Sequence, residues 1–80
     1  MKRIPVKSSD LASVGYDEHT QTLEVEFQDK SIYQYTSVSK YVYLELMSAK
    51  SKGKYFHRYI QDNVLYGCTR IFPTMKWRRF

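Results

Sequence analysis

An α+β fold is predicted by the order in which two periodicities appear along the chain. Between residues 11 and 36, apolar side chains recur at every second position in short runs divided by polar turns; from residue 40 to about 63 they recur at helical spacing. The changeover falls at Val38, so a three-stranded antiparallel meander followed by two helices and a short final strand is expected. Eighty residues allow a single domain, over 1–72, with one small core and no deep active-site cleft; residues 73–80 form a basic, aromatic tail.

Arg3 to Lys7 is an extended lead-in that Pro5 confines to a sheet edge or to an unpaired segment. Ser8-Ser9-Asp10 turns the chain into a first strand over 11–16, with Ala12, Val14 and Tyr16 expected on one face. The clearest strand is 22–27, where Leu23, Val25 and Phe27 alternate with Thr22, Glu24 and Glu26 to give one buried and one wet face. A third strand, 32–36, carries Tyr33 and Tyr35.

The turn between the last two strands decides where those tyrosines point. A loop of two or four residues pairs Val25 with Gln34 and sets Tyr33 and Tyr35 among the carboxylates, whereas a loop of three buries both with Leu23, Val25 and Phe27. Asp29-Lys30 lacks the Gly of a type I′ turn, so turn chemistry does not choose. The even register is expected because it keeps Ile32 with the core.

Ser37 or Ser39 caps a helix over 40–49, whose apolar residues cover most of its circumference and predict a largely buried element. A second helix, 52–63, is amphipathic: Tyr55, Phe56, Tyr59 and Ile60 lie on one side, and Lys54, His57, Arg58 and Gln61 on the other. Leu23, Val25, Phe27, Leu46, Phe56 and Ile60 are the predicted core.

The unusual feature is the start of that second helix. Lys50, Lys52 and Lys54 crowd a terminus that the peptide dipole already makes positive, and Lys54 repels Arg58 four residues on. The nearest acids in sequence are Glu45 and Asp62. With Ser51 as cap and Gly53 lacking a side chain, the stretch is suited to an anion. Charge is uneven along the whole chain: residues 1–45 carry −2 and residues 46–80 carry +7. Such a distribution favours a polyanionic partner.

Composition excludes other classes. One cysteine, Cys68, permits no internal disulfide, suggests a reducing, cytoplasmic setting and reads as a small buried residue; with two distant histidines it matches no zinc spacing. No run of about 18 apolar residues is present to cross a membrane. His19 and His57 read as surface histidines, and no catalytic order of residues or phosphate-binding Gly-Lys motif accompanies them, so no enzyme and no cofactor are expected.

The spacing of many positions resembles the KTSC domain. The likeness runs from Val6-x-Ser8-Ser9 through Gly15-Tyr16-Asp17, Leu23-x-Val25-x-Phe27, Tyr33-x-Tyr35 and Val38, and continues through Val42-Tyr43-x-x-Leu46-Met47-x-Ala49-x-Ser51-x-Gly53-x-Tyr55-Phe56-x-x-x-Ile60. That family is named for its occurrence at the C-terminus of some lysyl-tRNA synthetases and occurs also as a single-domain bacterial protein. The resemblance implies the meander-plus-two-helices fold and, by association with the synthetase, RNA binding. Lys30 replaces the family's usual turn glycine, and Ser39 a proline often found there.

The function expected is therefore a non-catalytic module that binds nucleic acid, RNA above all. Lys50, Ser51, Lys52, Gly53, Lys54 and Arg58 would meet phosphates, Arg70, Lys76, Arg78 and Arg79 would extend the patch, and Trp77, Phe80, Tyr33 and Tyr35 are the aromatic residues available for stacking. The alternative is a protein-interaction module that docks an acidic partner or takes a strand at its sheet edge.

Overall fold

A computed structural model describes residues 1–72 of the chain. Five antiparallel strands lie in sequence order, β1 (Ile4–Pro5), β2 (Leu11–Asp17), β3 (Thr22–Phe27), β4 (Ile32–Thr36) and β5 (Gly67–Phe72). Between β4 and β5 run helix α1 (Lys40–Ser48), helix α2 (Lys52–Phe56) and a π-helical turn (His57–Gln61) that continues α2. The fold is α+β, and the sheet has two more strands than the central meander: β1, with its Pro5 on the sheet margin, and β5. No helix among the described residues is long and apolar enough to cross a membrane.

The expected even register of the β3–β4 hairpin is corrected. Val25 faces Tyr33 and Leu23 faces Tyr35, which leaves a loop of three residues, Gln28 to Lys30. Two backbone bonds close it: the Phe27 N–H donates to Ser31 O and the Lys30 N–H to Phe27 O, both at 2.9 Å. Lys30 takes the left-handed conformation, φ 76°, that such a loop requires of its last residue. Asp29 secures the turn by accepting from both the N–H and the hydroxyl of Ser31. Both tyrosines thereby reach the helix-covered face, and Ile32 pairs instead with Glu26.

A second change of phase occurs in β2. The pairing shifts between Leu11 and Ser13, which makes Ala12 a bulge. Leu11 and Val14 consequently share the core face, and Ala12, expected there, does not.

The core is a single layer between sheet and helices. Leu11, Val14, Leu23, Val25 and Tyr35 rise from the strands to meet Val38, Leu46, Phe56 and Ile60, all excluded from solvent. Phe56 is the hub, with edge-to-face contacts to Phe27 at 5.4 Å and to Tyr35 at 5.4 Å between ring centroids. Phe27 itself is only half-buried at the margin.

Ser39 caps α1 through a bond from the Val42 N–H. Of this helix only Leu46 is fully buried; Tyr41 and Leu44 are exposed, so the expectation of a largely buried helix fails. A domain of this size has no second layer to cover the outer side of α1. Tyr43 stacks on Tyr16 at 4.9 Å, and the Tyr55 hydroxyl donates to Glu45 at 2.7 Å, which ties α1 to α2. Burial, then that bond to Glu45, pushes the Tyr55 hydroxyl up to about 12.

The opposite face of the sheet is closed by polar contacts rather than by helices. Arg3 pairs with Glu24 and donates through Nε to Ser13 at 2.9 Å; Gln34 donates to Glu24 at 2.7 Å and Ser13 to Glu26 at 2.8 Å. Burial alone would raise the Glu24 pKa, but the bonds from Gln34 and Arg3 outweigh it and lower the value. Gly15 is required beneath this crossing segment, because a Cβ there would lie 2.8 Å from the Lys2 carbonyl oxygen.

Phe56→Ala and Leu46→Ala are expected to cost about 2–5 kcal/mol each, and Tyr35→Ala a similar amount, read from urea unfolding midpoints. Lys30→Gly should instead stabilise the fold by about 0.5–1 kcal/mol, because glycine adopts the left-handed angle without strain. An unchanged midpoint for Lys30→Gly would refute the three-residue turn.

Candidate functional site

The lysine-led segment packs against the turn that precedes β2. Ser51 caps α2 by accepting from the Lys54 N–H at 3.3 Å, as its position suggests. Gly53 is buried, and a Cβ on it would stand 3.1 Å from Asp10 Oδ2 and 3.5 Å from Ser8 Oγ. The small residue therefore lets the Ser8–Asp10 turn approach. A carboxylate of the chain itself, far away in sequence, stands beside the helix start that neither Glu45 nor Asp62 reaches in sequence. Lys52 has structural work as well, since its Nζ donates to the Ala49 carbonyl at the end of α1, 3.3 Å away. The α2 segment is only five residues long, so the ammonium groups, and not a helix dipole, dominate the local field. Lys7, Lys50, Lys52 and Lys54 line a depression of about 370 Å³ in which Asp10 is the one carboxylate among the described residues.

His57 forms the wall of this depression. Its Nε2 lies 3.1 Å from Asp10 Oδ2, and its Nδ1 faces Gln61 Oε1. The π-helical turn that carries it is held on both sides: Phe56 and Ile60 sit in the core while His57 is gripped by Asp10 and Gln61. Such widened turns are rare and persist where their surroundings hold them. The expected α-helix over 52–63 is thus α-helical only to Phe56 and π-helical to Gln61. With an acceptor at each ring nitrogen, the imidazolium is favoured, and the His57 pKa is raised, chiefly by Gln61 and then by Asp10.

On the far side of His57 lies a larger, open cleft of about 580 Å³, between β3, β4 and the π-helical turn. Phe27 and Tyr33 meet edge-on at 5.8 Å along it, and Tyr35, only 3% exposed, lies at its base. Asp10, Asp29 and Asp62 contribute carboxylates, and no Lys or Arg lines it among the described residues. Burial, then the Cys68 thiol, raises the Tyr35 pKa far above the ordinary phenol value. Cys68 pairs with Tyr35 across the β4–β5 ladder and is exposed, not buried as the sequence suggests, because β5 is a marginal strand exposed at all six positions. Both nitrogens of His57 are occupied, so the imidazole has no lone pair available to activate that thiol.

The other sequence-derived candidates are dispersed. Arg58 is exposed, its guanidinium 5.7 Å from the centre of the Tyr59 ring. Arg70 stands across from Tyr33 on β5. Lys76, Trp77, Arg78, Arg79 and Phe80 lie outside the described residues. Nothing local in the sequence marks Asp10, Asp29, Gln61 or Cys68 as site residues; Asp10 reads as part of a turn, and the 47 residues that separate it from His57 leave no local signal of their contact. Among the described residues, no three His, Cys, Asp or Glu side chains come together as a metal site.

Folding raises the His57 pKa, so this group stabilises the fold below its ordinary value of about 6.5, and that contribution is lost as pH rises through the higher folded-state value. Stability is expected to fall from about pH 6.5 upward, and the fall should disappear in His57→Gln. Unfolding midpoints across pH 5–9 measure it, and a wild-type slope retained in the variant would refute it.

Comparison with known proteins agrees with this architecture. The family model of the KTSC domain matches residues 7–66. The crystal structure of a KTSC domain protein from Yersinia pestis superposes with a TM-score of 0.83 at 37% identity, covering 88% of this chain and 96% of that one. An uncharacterized protein of Stutzerimonas stutzeri is 43% identical over 58 residues, 72% of this chain and 82% of the relative. A lysine–tRNA ligase of Nostoc sp. is 42% identical over 60 residues, which are 75% of this chain but only 11% of the ligase. The fold, the matched span and these relatives together establish that the chain belongs to the KTSC domain family.

Proposed function

We propose that this domain is a non-catalytic RNA-binding module whose phosphate contacts come from the lysines beside α2. The observation that carries the reading is the depression in which Lys7, Lys50, Lys52 and Lys54 converge, with Asp10 the single carboxylate among its described lining residues. Lysines spread over a surface are ordinarily solvated and contribute little. Four that line one concavity raise the local potential and draw in a polyanion. Arg58, one turn beyond Lys54, extends the basic surface along the same segment, consistent with the +7 charge of residues 46–80. The similarity to a lysine–tRNA ligase supports RNA as the polyanion, since that enzyme, by its name, acts on a transfer RNA.

A second reading rests on β5. It lies at the sheet margin with all six residues exposed, and no strand among the described residues lies beyond it, so it presents an edge to which a partner's strand could add.

Lys50→Ala, Lys54→Ala and Arg58→Ala combined should weaken binding of single-stranded RNA about equally for all sequences. The slope of log affinity against log salt should flatten by about 0.7 for each phosphate that is no longer neutralised. The unfolding midpoint should hold or rise slightly, because a mutual repulsion has been removed. Lys52 is left intact because it bonds Ala49. RNA affinity unchanged in the triple variant, measured by fluorescence anisotropy at two salt concentrations, would rule out this surface and favour the β5 edge.

A further inference from the structure

The two depressions beside His57 are neighbours: both are lined by Ser9, Asp10 and His57. They differ sharply in chemistry. One carries four lysines; the other carries three aspartates and aromatic rings, with no Lys or Arg among its described lining residues. A ligand that spans them must be anionic at one end and, at the other, free of negative charge and rich in hydrogen-bond donors, which a flat nucleobase satisfies. The carboxylates would repel a phosphate from the cleft while the ammonium groups attract it next door, so the orientation of such a ligand is fixed by charge. The cleft, at about 580 Å³, lies within the range of about 300–1,000 Å³ typical of small-ligand sites.

The donor requirement selects among bases. An ionised carboxylate only accepts hydrogen bonds. Guanine presents two adjacent donors, N1–H and the N2 amino group, which match the two oxygens of one carboxylate. Adenine and cytosine each set a single amino donor beside a ring-nitrogen acceptor, and uracil flanks its one N–H with two carbonyls; in all three, an acceptor would face the carboxylate. Of the three aspartates, Asp29 already binds Ser31 through Oδ1 and Asp10 binds His57 through Oδ2. The carboxylate of Asp62, at the end of the π-helical turn, makes no hydrogen bond or ion pair among the described residues and has both oxygens available. Half-buried Tyr33 supplies aromatic surface at the same place.

We propose that the two depressions are halves of one site for a guanine nucleotide within single-stranded RNA, the base lodged in the cleft against Tyr33 and Asp62, and its phosphate held by Lys50 and Lys54 across the Asp10–His57 divide. This deepens the RNA-binding reading above and rests on it. The phosphate half supplies affinity; the cleft supplies base preference.

The test uses the full chain and fluorescein-labelled uridine octamers with a single central G, A, C or inosine. The guanine octamer should bind roughly tenfold more tightly than the adenine, cytosine and all-uridine ones, with inosine, which lacks the N2 amino group, in between. Asp62→Asn should erase most of that preference and Tyr33→Leu should weaken it, while the salt dependence stays as in the wild type. Equal binding of all octamers with ordinary salt dependence would overturn the guanine cleft and leave the phosphate surface standing. A guanine preference that survives both substitutions in folded protein would also overturn it, since the base would then be read elsewhere. No binding of any octamer, or binding only of an arginine-rich peptide of the same length, would overturn both.

Discussion

Lys30 holds a left-handed backbone angle, and much of the domain follows from it. That residue closes a three-residue turn; the turn pairs Val25 with Tyr33 and Leu23 with Tyr35. In a strand, a slip of one residue moves every side chain to the other face, so no intermediate arrangement exists. With the tyrosines on the helix side, Tyr35 meets Phe56 edge-to-face and Tyr33 meets Phe27. Those contacts set the depth at which α2 sits and, beside it, leave the cleft that the aromatic residues line. A lysine at this position costs on the order of 1 kcal/mol relative to glycine. Burial of the two tyrosines, together with the Asp29 bonds to Ser31, outweighs that cost.

The second constraint is electrostatic and joins parts of the chain that are distant in sequence. Three lysines at a helix start would be a purely unfavourable cluster if nothing opposed them. Asp10 opposes them in space, because Gly53 admits the Ser8–Asp10 turn to within van der Waals distance of the helix. The same carboxylate engages His57, so one aspartate holds the turn, faces the lysines and partners an imidazole. The cost of packing cations together is thereby lowered without pairing Lys50 or Lys54 directly, and both lysines remain exposed.

Local physics makes part of this legible in the sequence. Strict alternation marks 22–27 to the residue, Ser39 and Ser51 are readable as caps, and five of the six predicted core residues are fully buried. What escapes are features decided by contacts between distant residues. Asp29-Lys30 has no glycine, so the turn type cannot be read and the expected register is one residue off. The bulge at Ala12 shifts the phase of β2 with no glycine or proline to announce it. The apolar residues around α1 imply burial on all sides, but only tertiary packing decides which of them find a neighbour. Of the candidate site, the lysines are visible from their crowding; Asp10 and Asp29 look like ordinary turn residues until folding carries them beside His57 and Tyr33.

The placement of polar groups on the sheet also bears on where a ligand can bind. A sheet covered by helices on one side ordinarily leaves its other side as the available platform. Here that other side is consumed: Arg3 crosses it, Glu24 is 7% exposed and bonded twice over, and Ser13 and Gln34 complete the network. A base stacked there would have to break charged bonds held at low dielectric, a loss larger than stacking returns. A concave surface does lie at the seam between sheet and helix, where a core too small to close over its own margin leaves Tyr33 half-buried. Aromatic surface, carboxylates and the four converging lysines adjoin along that seam, which is why the proposed RNA site is placed at the seam and not on the sheet face.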